Sequence, residues 1–419
     1  MTKKGKTMKK TVSVLLFAAT MLFSVLSASA GLLSPGLLVI SGEDPLTVSG
    51  IKGEPVLICS ADICRHSGIN YFDSIKITSL PDISKGVLSI DSVAVSVGQE
   101  ISFTDADRLV FAPNENVTDC SFTYEINSVA TTCSLIFTDQ INLPPVATSF
   151  VAPIEAFSGS SVSGNMVAYD PDGDSMTYYI SSHPENGNIS YSRTDGSFVY
   201  TPASTGKDSF SFTVRDSYGN YSDEATVELS VFSNTSGISF SDMKNSSAFT
   251  AAVVMVDNGI MASAEDNGNA IFEPSLEVSR LDFLICAMNT MGATNIPTVS
   301  NTGFADDNAI PDESKGYVYS AKALGIINGQ VGADEMLYFN PDAPITRAEA
   351  AVIINNIIGY TAQGNFNFGD SVPVWAEDAV SAMFELGVLS KEDGNIMADS
   401  PITKEEAAMA LHRINNLIF

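Results

Sequence analysis

The stretch Pro344-Ile345-Thr346-Arg347-Ala348-Glu349-Ala350-Ala351 predicts the start of a helix. Thr346 is a favoured N-cap residue, and Glu349 lies three positions on, where its side chain can accept a hydrogen bond from the Thr346 backbone N–H, as in a capping box. Arg347 is then the first helical residue, beside unpaired backbone N–H groups and the positive end of the helix dipole. A helix start that carries an arginine favours the binding of an anion.

The same pattern occurs twice more in the C-terminal half of the chain. Val278-Ser279-Arg280-Leu281-Asp282 has the cap, the arginine and an acid at the third helical position, and Ile402-Thr403-Lys404-Glu405-Glu406 has lysine in place of arginine. Each copy follows a Phe-x-Asp motif, and the three motifs are spaced by 64 residues. A period of this length indicates one structural unit used three times. The motifs are Phe240-Ser241-Asp242, Phe304-Ala305-Asp306 and Phe368-Gly369-Asp370.

Each copy is predicted to form a pair of helices. In the second helix of each pair apolar residues recur at helical spacing, as at Ala350, Ile353, Ile354 and Ile357. A single pair cannot bury its apolar faces alone, so the three pairs are expected to share one core. The predicted helices are 247–258 and 279–291, 313–324 and 346–358, and 375–386 and 403–417.

These motifs, in the same order three times, resemble the S-layer homology (SLH) domain, with repeats at 239–302, 303–366 and 367–419. The resemblance implies an all-α, pseudo-threefold trio that attaches a surface protein non-covalently to the bacterial cell wall. It implies a pyruvylated secondary cell-wall polysaccharide, or a peptidoglycan-linked polymer, as the partner. The implied function is that of an S-layer or S-layer-associated protein, with self-association in a surface layer as a further expectation.

The resemblance also implies roles for the basic residues. Arg280, Arg347 and Lys404 are expected to face the polysaccharide in grooves between neighbouring repeats. An arginine can bind a pyruvate carboxylate through two parallel hydrogen bonds, whereas lysine cannot make that fork, so Lys404 is expected to contribute least. The alternative is that all three are solvated charges on first turns.

The aspartates of the Phe-x-Asp motifs have two interpretations. The resemblance places Asp242, Asp306 and Asp370 near sugar hydroxyls, and the alternative is that they are loop or cap acceptors. The third repeat departs from the pattern, since Ile396-Met397-Ala398 stands where Phe-x-Pro is expected.

The chain before the repeats shows the alternating pattern of short β-strands separated by turn residues. It divides into 31–141 and 142–233 at a Pro-Pro linker, and motifs recur in both parts at an offset of 89 residues, such as Phe111-Ala112-Pro113 and Tyr200-Thr201-Pro202. Two all-β sandwiches are therefore predicted. The second resembles the cadherin-like and Ig-like repeats of bacterial surface proteins, on the acidic loop 169–174 and on Asp208-Ser209-Phe210, and the first is a divergent copy.

The acidic loop of the second sandwich has two interpretations. Asp170, Asp172 and Asp174 alternate around a glycine turn, and Asp216 follows a predicted strand that could bring it close. Carboxylate oxygens in this arrangement suit Ca²⁺, which takes six to eight oxygen ligands. The alternative is a polar turn that proline and glycine favour.

The first thirty residues are predicted to be a secretory signal peptide, with five lysines, an apolar core and Ala28-Ser29-Ala30 as the cleavage signal. Its removal changes the net charge from −28 to −33. So negative a chain will not bind nucleic acid or an anionic membrane through its net field. No later stretch is apolar for long enough to span a bilayer, and a bacterial cell-surface location is expected.

Export permits disulfides, and the chain has five cysteines. Cys59 with Cys64, and Cys120 with Cys133, are the predicted pairs, although four cysteines allow three connectivities. Cys286, in an apolar helical pattern, is interpreted as a buried free thiol.

The sequence gives catalysis little support. The three histidines fall in separate segments without a nucleophile motif, a zinc-ligand spacing or a phosphate loop. The leading hypothesis is a non-enzymatic protein that anchors to the wall and displays its β-sandwiches. One alternative is an adhesin whose β modules bind a host or neighbouring surface, and another is a wall-active enzyme with an unrecognised site.

Overall fold

A computed structural model describes residues 44–418. The predicted signal peptide lies outside these residues. Across 44–418, no helix combines the length and the apolar character needed to cross a membrane. The described chain consists of a first β region (44–141), a second β region (142–233) and a helical region (239–418).

The first β region consists of two sandwich-like sheets that share one hydrophobic core. One sheet has the strand order β1-β9-β8-β3-β6, and the other has the order β2-β7-β4-β5. Phe111, Phe122, Tyr124 and Leu135 are among the buried residues between them. The strands are β1 Leu46–Ile51, β2 Val56–Leu57, β3 Ser74–Ser79, β4 Gly86–Ile90, β5 Val93–Ala94, β6 Glu100–Ser102, β7 Leu109–Pro113, β8 Asp119–Ile126 and β9 Val129–Thr138.

Two short helices interrupt this region, and the sequence did not predict them. Helix α1 (Ser60–Ser67) begins at Ser60, because the Asp62 carboxylate accepts a hydrogen bond from the Cys59 backbone N–H and Asp107 accepts one from the Ser60 backbone N–H. Helix α2 (Phe103–Ala106) begins at Ser102, whose hydroxyl accepts a hydrogen bond from the Asp105 backbone N–H.

The predicted disulfides are wrong for this structure, in which Cys59, Cys64, Cys120 and Cys133 are free thiols. Cys59 precedes α1 and Cys64 lies within it, and five residues of helix advance about 7.5 Å. Cys120 lies opposite Leu135, so Cys133 is its diagonal neighbour in the β8–β9 register, at a Cα separation of roughly 7–8 Å. Both separations exceed the roughly 4.4–6.8 Å that a disulfide usually spans. Cys286 is also a free thiol, as predicted, although it is half-buried.

The second β region has a four-stranded sheet in the order β11-β18-β17-β14 and a three-stranded sheet in the order β12-β16-β15, with a short β10–β13 pair beside them. The core between the sheets includes Phe198, Tyr200, Phe210 and Phe212. The alternating stretches at 176–181, 197–201, 209–214 and 225–231 each lie within one of these strands. The strands are β10 Val146–Thr148, β11 Ile154–Phe157, β12 Val162–Asn165, β13 Val167–Tyr169, β14 Met176–Ser182, β15 Gly187–Tyr191, β16 Ser197–Pro202, β17 Gly206–Asp216 and β18 Ala225–Phe232.

The helical region has six α-helices in three pairs, and each predicted bound lies within two residues of the observed one. We call 239–302, 303–366 and 367–418 the first, second and third helical units. The helices are α3 Phe249–Asp257 and α4 Arg280–Thr290, α5 Lys315–Ala323 and α6 Arg347–Ile358, and α7 Glu377–Glu385 and α8 Lys404–Ile418. Two 3₁₀ turns, Asp307–Ala309 and Val374–Ala376, and two hairpins, β19 Ala264–Asp266 with β20 Asn269–Ile271 and β21 Gln330–Val331 with β22 Leu337–Tyr338, complete it.

A closed ring of backbone hydrogen bonds joins the three units. The Val278 N–H donates to the Ile402 carbonyl (3.1 Å), Ile402 donates to Ile345 (2.9 Å), and Ile345 donates back to Val278 (3.0 Å). All three side chains are buried in one core that the units share. Each of these residues lies two positions before a helix start, so the ring brings the N-termini of α4, α6 and α8 together.

Candidate functional site

The predicted basic residues are the first residues of three equivalent helices. Arg280 starts α4, Arg347 starts α6 and Lys404 starts α8. Ser279 and Thr346 cap the first two helices through their hydroxyls, and Thr346 with Glu349 forms the predicted capping box. The local prediction is therefore confirmed at both arginines.

The backbone N–H groups of these helix starts are not available to an anion, which corrects the expectation from the sequence. The N–H groups of Arg280, Arg347 and Lys404 donate to Ala343 (2.9 Å), Ser400 (2.9 Å) and Leu276 (2.8 Å), each in a neighbouring unit. The next backbone N–H in each helix donates to another carbonyl of the same neighbouring unit, as the Leu281 N–H does to the Pro341 carbonyl (3.1 Å). The contacts that close the ring of units satisfy these donors, so any anion must be bound by side chains.

Each arginine instead pairs with the first-turn acid of the following unit. Arg280 Nη2 donates to Glu349 Oε1 at 2.7 Å, and Arg347 Nη1 donates to Glu406. Glu349 and Glu406 also accept the N–H of their own N-cap residues through the other carboxylate oxygen. One carboxylate therefore caps its own helix and anchors the preceding unit.

The surroundings of Arg280 leave part of its guanidinium without a partner. Gln330 donates to Glu349 Oε1 (2.9 Å), and Asn340 donates to the Gln330 side-chain oxygen (2.9 Å), so a polar row extends from the ion pair. Arg280 Nε is buried and has no hydrogen-bond partner. The side chains of Arg280 and Glu349 are both 14% exposed, so this pair is partly open to solvent at the junction between the first and second units.

Arg347 has a different environment, because all three of its side-chain nitrogens are occupied. Nε donates to the Ile396 carbonyl (2.9 Å), Nη2 donates to the Ser390 carbonyl (2.7 Å), and Nη1 donates to Glu406. The side chain is only 7% exposed. Arg347, in the stretch 344–351 that predicted this helix, therefore links the second unit to the third through hydrogen bonds.

Lys404 makes the weakest pair of the three. Its Nζ lies 4.0 Å from Glu273 and 4.8 Å from the centre of the Phe272 ring. Burial lowers the pKa of Lys404 despite the nearby carboxylate of Glu273. The equivalent first-turn acid, Asp282, is one methylene shorter than glutamate and hydrogen-bonds to the Ser279 hydroxyl (2.7 Å).

The sequence could have revealed these pairs. A basic residue at the first helical position and an acid at the third recur in all three copies. Taken singly, each acid suggests only a cap. Partners 69 and 59 residues apart become neighbours only when the units close into a ring.

The aspartates of the Phe-x-Asp motifs hold loops, as the loop-acceptor alternative predicts. Asp306 accepts hydrogen bonds from the backbone N–H groups of Phe339 (2.9 Å) and Asn340 (2.7 Å). Asp242 binds Phe272 and Glu273 in the same way, and Asp370 binds Ile396 and Met397. The third unit thus keeps the geometry although its sequence lacks Phe-x-Pro. The second residue of each bonded pair has a left-handed backbone, with φ of 61° at Glu273, 56° at Asn340 and 53° at Met397.

The acidic loop brings three of its four predicted carboxylates together. One oxygen from each of Asp170, Asp172 and Asp174 lies within 4.8 Å of the others. Asp170 Oδ1 accepts the N–H groups of Asp172 and Asp174, and the other oxygen of Asp170 and Oδ2 of Asp174 are buried without a partner. Burial, and then the charge of Asp170, raise the pKa of Asp174. Oxygen donors in this state fit a hard cation such as Ca²⁺.

Asp216 lies close by but has a different role. The register pairs Met176 with Asp216, which brings the end of β17 beside the acidic loop. Both oxygens of Asp216 accept hydrogen bonds, from the Tyr218 and Asn220 backbone and from the side chains of Asn220 and Asn142. Asp172 meanwhile accepts the backbone N–H of Leu143 (2.7 Å), so the loop also holds the linker between the β regions.

Family models match two parts of the chain. A model of the S-layer homology domain matches 303–351 and 367–408, and a model of a bacterial Ig domain matches 142–230. The chain is 33% identical over 118 residues to the Surface-layer 125 kDa protein of Lysinibacillus sphaericus. That match covers 28% of this chain and 10% of that protein, so the chain spans about a tenth of the length of this relative.

Solved structures match the chain at low TM-scores. The fibronectin(III)-like modules of Clostridium thermocellum CbhA are 11% identical and match 46% of this chain and 92% of theirs, with a TM-score of 0.22. Drosophila N-cadherin EC1-3 is 12% identical and matches 38% of this chain and 54% of its own, with a TM-score of 0.20. This likeness is too low to bear on function.

Proposed function

We propose that this chain is a cell-wall or S-layer surface protein and that its helical region, part of which a model of the S-layer homology domain matches, anchors it non-covalently to a cell-wall polymer. The β regions are then the displayed part of a structural protein without catalytic activity. The observation that carries the proposal is the recurring basic residue at each helix start, which forms a pair at each junction between units.

The anchor in this proposal is a pseudo-threefold trio of SLH repeats, with 239–302 as the first. Its support is geometric. Val278, Ile345 and Ile402 each donate and accept one hydrogen bond in the backbone ring, and the aspartates of the Phe-x-Asp motifs hold three equivalent loops. The first unit also has the paired aromatic rings of the second, with Phe240 and Phe272 5.4 Å apart against 5.8 Å for Phe304 and Phe339.

The polymer in this proposal carries carboxylates, as a ketal-linked pyruvate does. The net charge of −28 repels an anionic polymer at long range, so affinity must come from short, directed contacts. The junction at Arg280, which we call the Arg280 groove, offers them, because the arginine side chain is 14% exposed and Gln330 and Asn340 provide amide groups beside it. A ligand carboxylate there would share the guanidinium with Glu349, in the charge-assisted geometry that arginine favours. Lys404 is a weaker second contact.

A Ca²⁺ ion at the acidic loop is the second part of the proposal. Asp170, Asp172 and Asp174 would hold it through the oxygens that face one another, and Asp216 would stay a hydrogen-bond acceptor behind them. The cation would neutralise three carboxylates beside the linker.

Co-sedimentation of the full chain with purified cell walls tests the anchoring function. The chain should sediment with intact walls and remain in the supernatant once the secondary polysaccharide has been extracted. A second arm uses walls treated with mild acid to remove ketal-linked pyruvate. Equal sedimentation with intact and extracted walls would contradict the proposal. Binding that is lost on extraction of the polysaccharide but kept after the acid treatment would mean that the ligand is the sugar backbone and not the pyruvate.

A further inference from the structure

The second β region packs directly on all three helical units. Val167 is part of the helical core, and Tyr169 and Phe157 make edge-on contacts with Phe366 (5.8 Å) and Phe249 (6.5 Å). Such pairs stabilise a contact beyond the area they bury. The two regions therefore share an apolar interface.

Polar contacts fix the position of this interface. Arg413 Nη1 donates to the carbonyls of Ala152 (2.8 Å) and Pro153 (2.9 Å), and His412 Nε2 lies 3.2 Å from Glu155. The Lys391 backbone N–H donates to the Asn165 side chain (2.9 Å). Arg413 and Asn165 are buried, so this side of the helical region is shielded from water.

The β region covers the junction that contains Arg347. Arg347, Glu406 and Ser390 line one cavity together with Glu155, Val162 and Asn165 of the second β region. The cavity has a volume of about 80 Å³, against roughly 300–1,000 Å³ for typical small-ligand sites. A sugar unit cannot enter while the β region is in place.

The Arg280 junction differs from the Arg347 junction in its hydrogen-bond partners and in the number of arginine nitrogens that are occupied. Within 44–418, the hydrogen bonds of Arg280, Glu349, Gln330 and Asn340 are all to residues of the helical region. Arg280 also retains a nitrogen without a partner, whereas Arg347 has none.

From this contrast we propose that the second β region is an intramolecular cap on the groove between the second and third helical units. The partner of this surface is a segment of the same chain, residues 150–165. The proposal rests on the anchoring function proposed above and deepens it. In the native chain the wall polymer binds at the Arg280 groove, and the Arg347 groove becomes a binding site only when the cap is displaced.

A disulfide lock tests the proposal in the full chain. The hydroxyls of Ser163 and Ser247 are 2.9 Å apart across the interface, so the double variant Ser163→Cys/Ser247→Cys can form a bridge that holds the cap closed. The reduced form of the same variant, and the wild-type chain under both redox conditions, are the controls. Calorimetric titration with a wall-polysaccharide fragment should give the same number of sites and the same Kd, within twofold, for the locked and reduced forms. Loss of a site on locking would overturn the proposal, because it would mean that the cap opens to bind.

The opposite variant displaces the cap. Glu155→Arg places a cation beside His412 and Arg413, in the cavity that Arg347 also lines, and Glu185→Arg, at an exposed position of the same β region, is its matched control. Exchange of the Lys391 amide reports opening directly, because its acceptor lies across the interface. We expect faster exchange and one additional polymer site in Glu155→Arg, and loss of that site again on adding Arg347→Gln. Faster exchange without a gain in sites would overturn the proposal.

The same titration separates this proposal from the anchoring function. A wild-type chain that binds polymer but loses a site on locking contradicts the cap alone. A chain that binds no polymer in either the locked or the opened form contradicts both.

Discussion

Lys391 has a half-buried amine at the contact between the second β region and the helical region. Its Nζ lies 4.6 Å from the centre of the Phe384 ring and donates to the Asn367 carbonyl at 2.9 Å. Burial lowers the pKa of this amine to about 8. Both the folded and the unfolded chain hold the proton below pH 8, so the cost of burying the charge is fully present there. Between pH 8 and the unfolded value the folded chain has lost the proton, so this cost falls as the pH rises.

Replacement of this lysine should therefore change how stability depends on pH. We expect Lys391→Met to unfold in urea with a free energy higher than that of the wild type by roughly 1–3 kcal/mol at pH 7, with the difference shrinking towards pH 10. The exposed Lys207→Met is the control and should show no such trend. If the difference in the free energy of unfolding is the same at pH 7 and pH 10, burial of the charged Lys391 amine does not destabilise the folded chain.

Asp174 allows a test of calcium binding. With roughly 5 mM Ca²⁺ and a Kd of about 10⁻⁴–10⁻³ M, the ion should stabilise the chain by about 1–2 kcal/mol. Asp174→Asn should abolish this gain, and should not destabilise the calcium-free chain, because it removes one of three mutually repelling carboxylates. Thermal melting in calcium, magnesium and chelator provides the comparison, with Asp223→Asn as the control. If calcium and magnesium raise the melting temperature equally, the loop is a polar turn and not a calcium site.

The Phe-x-Asp loops show how one element is stabilised three times by the same device. Each aspartate accepts two adjacent backbone N–H groups, and the second belongs to a non-glycine residue in the left-handed conformation. Such a conformation persists only where surrounding contacts hold it. The carboxylate therefore fixes the loop that precedes each second helix.

Removing one carboxylate should loosen one loop. We expect Asp306→Ala to lower the free energy of unfolding by roughly 2–4 kcal/mol, since two donors lose a charged acceptor. The amides of Phe339 and Asn340 should exchange faster, and those of Phe272 and Glu273 should not change. Asp257→Ala, at an exposed helix end, is the control. Unchanged exchange at Phe339 and Asn340 would mean that the hairpin holds the loop without Asp306.

At this scale the sequence predicted elements well where the signals were local. The capped, periodic stretches gave the second helix of each pair, because cap, first-turn acid and apolar spacing all lie within one helix. Helix α1 was missed although Asp62 caps it locally; the second acceptor at its start, Asp107, is 47 residues from Ser60. The cysteine pairs were misassigned because the spacing in the sequence did not reveal the diagonal register of Cys120 and Cys133.

Across the whole molecule, the sequence placed the three basic residues correctly but not their partners. The ring of units satisfies the helix N-termini, Glu349 and Glu406 neutralise the arginines, and the second β region covers Arg347. Each of these contacts joins residues far apart in the chain. The local pattern gave Arg280 and Arg347 the same role, and their tertiary surroundings leave Arg280 as the more exposed arginine.

The anchoring account rests on the guanidinium of Arg280. Calorimetric titration of purified wall polysaccharide into the full chain should show Kd raised by roughly 10- to 150-fold in Arg280→Lys, since lysine keeps the charge but loses the fork. Lys404→Gln should change Kd by less than about threefold, because a weakly paired lysine contributes little. Melting curves check that each variant folds. Wild-type affinity in both Arg280→Lys and Arg280→Ala would contradict the account.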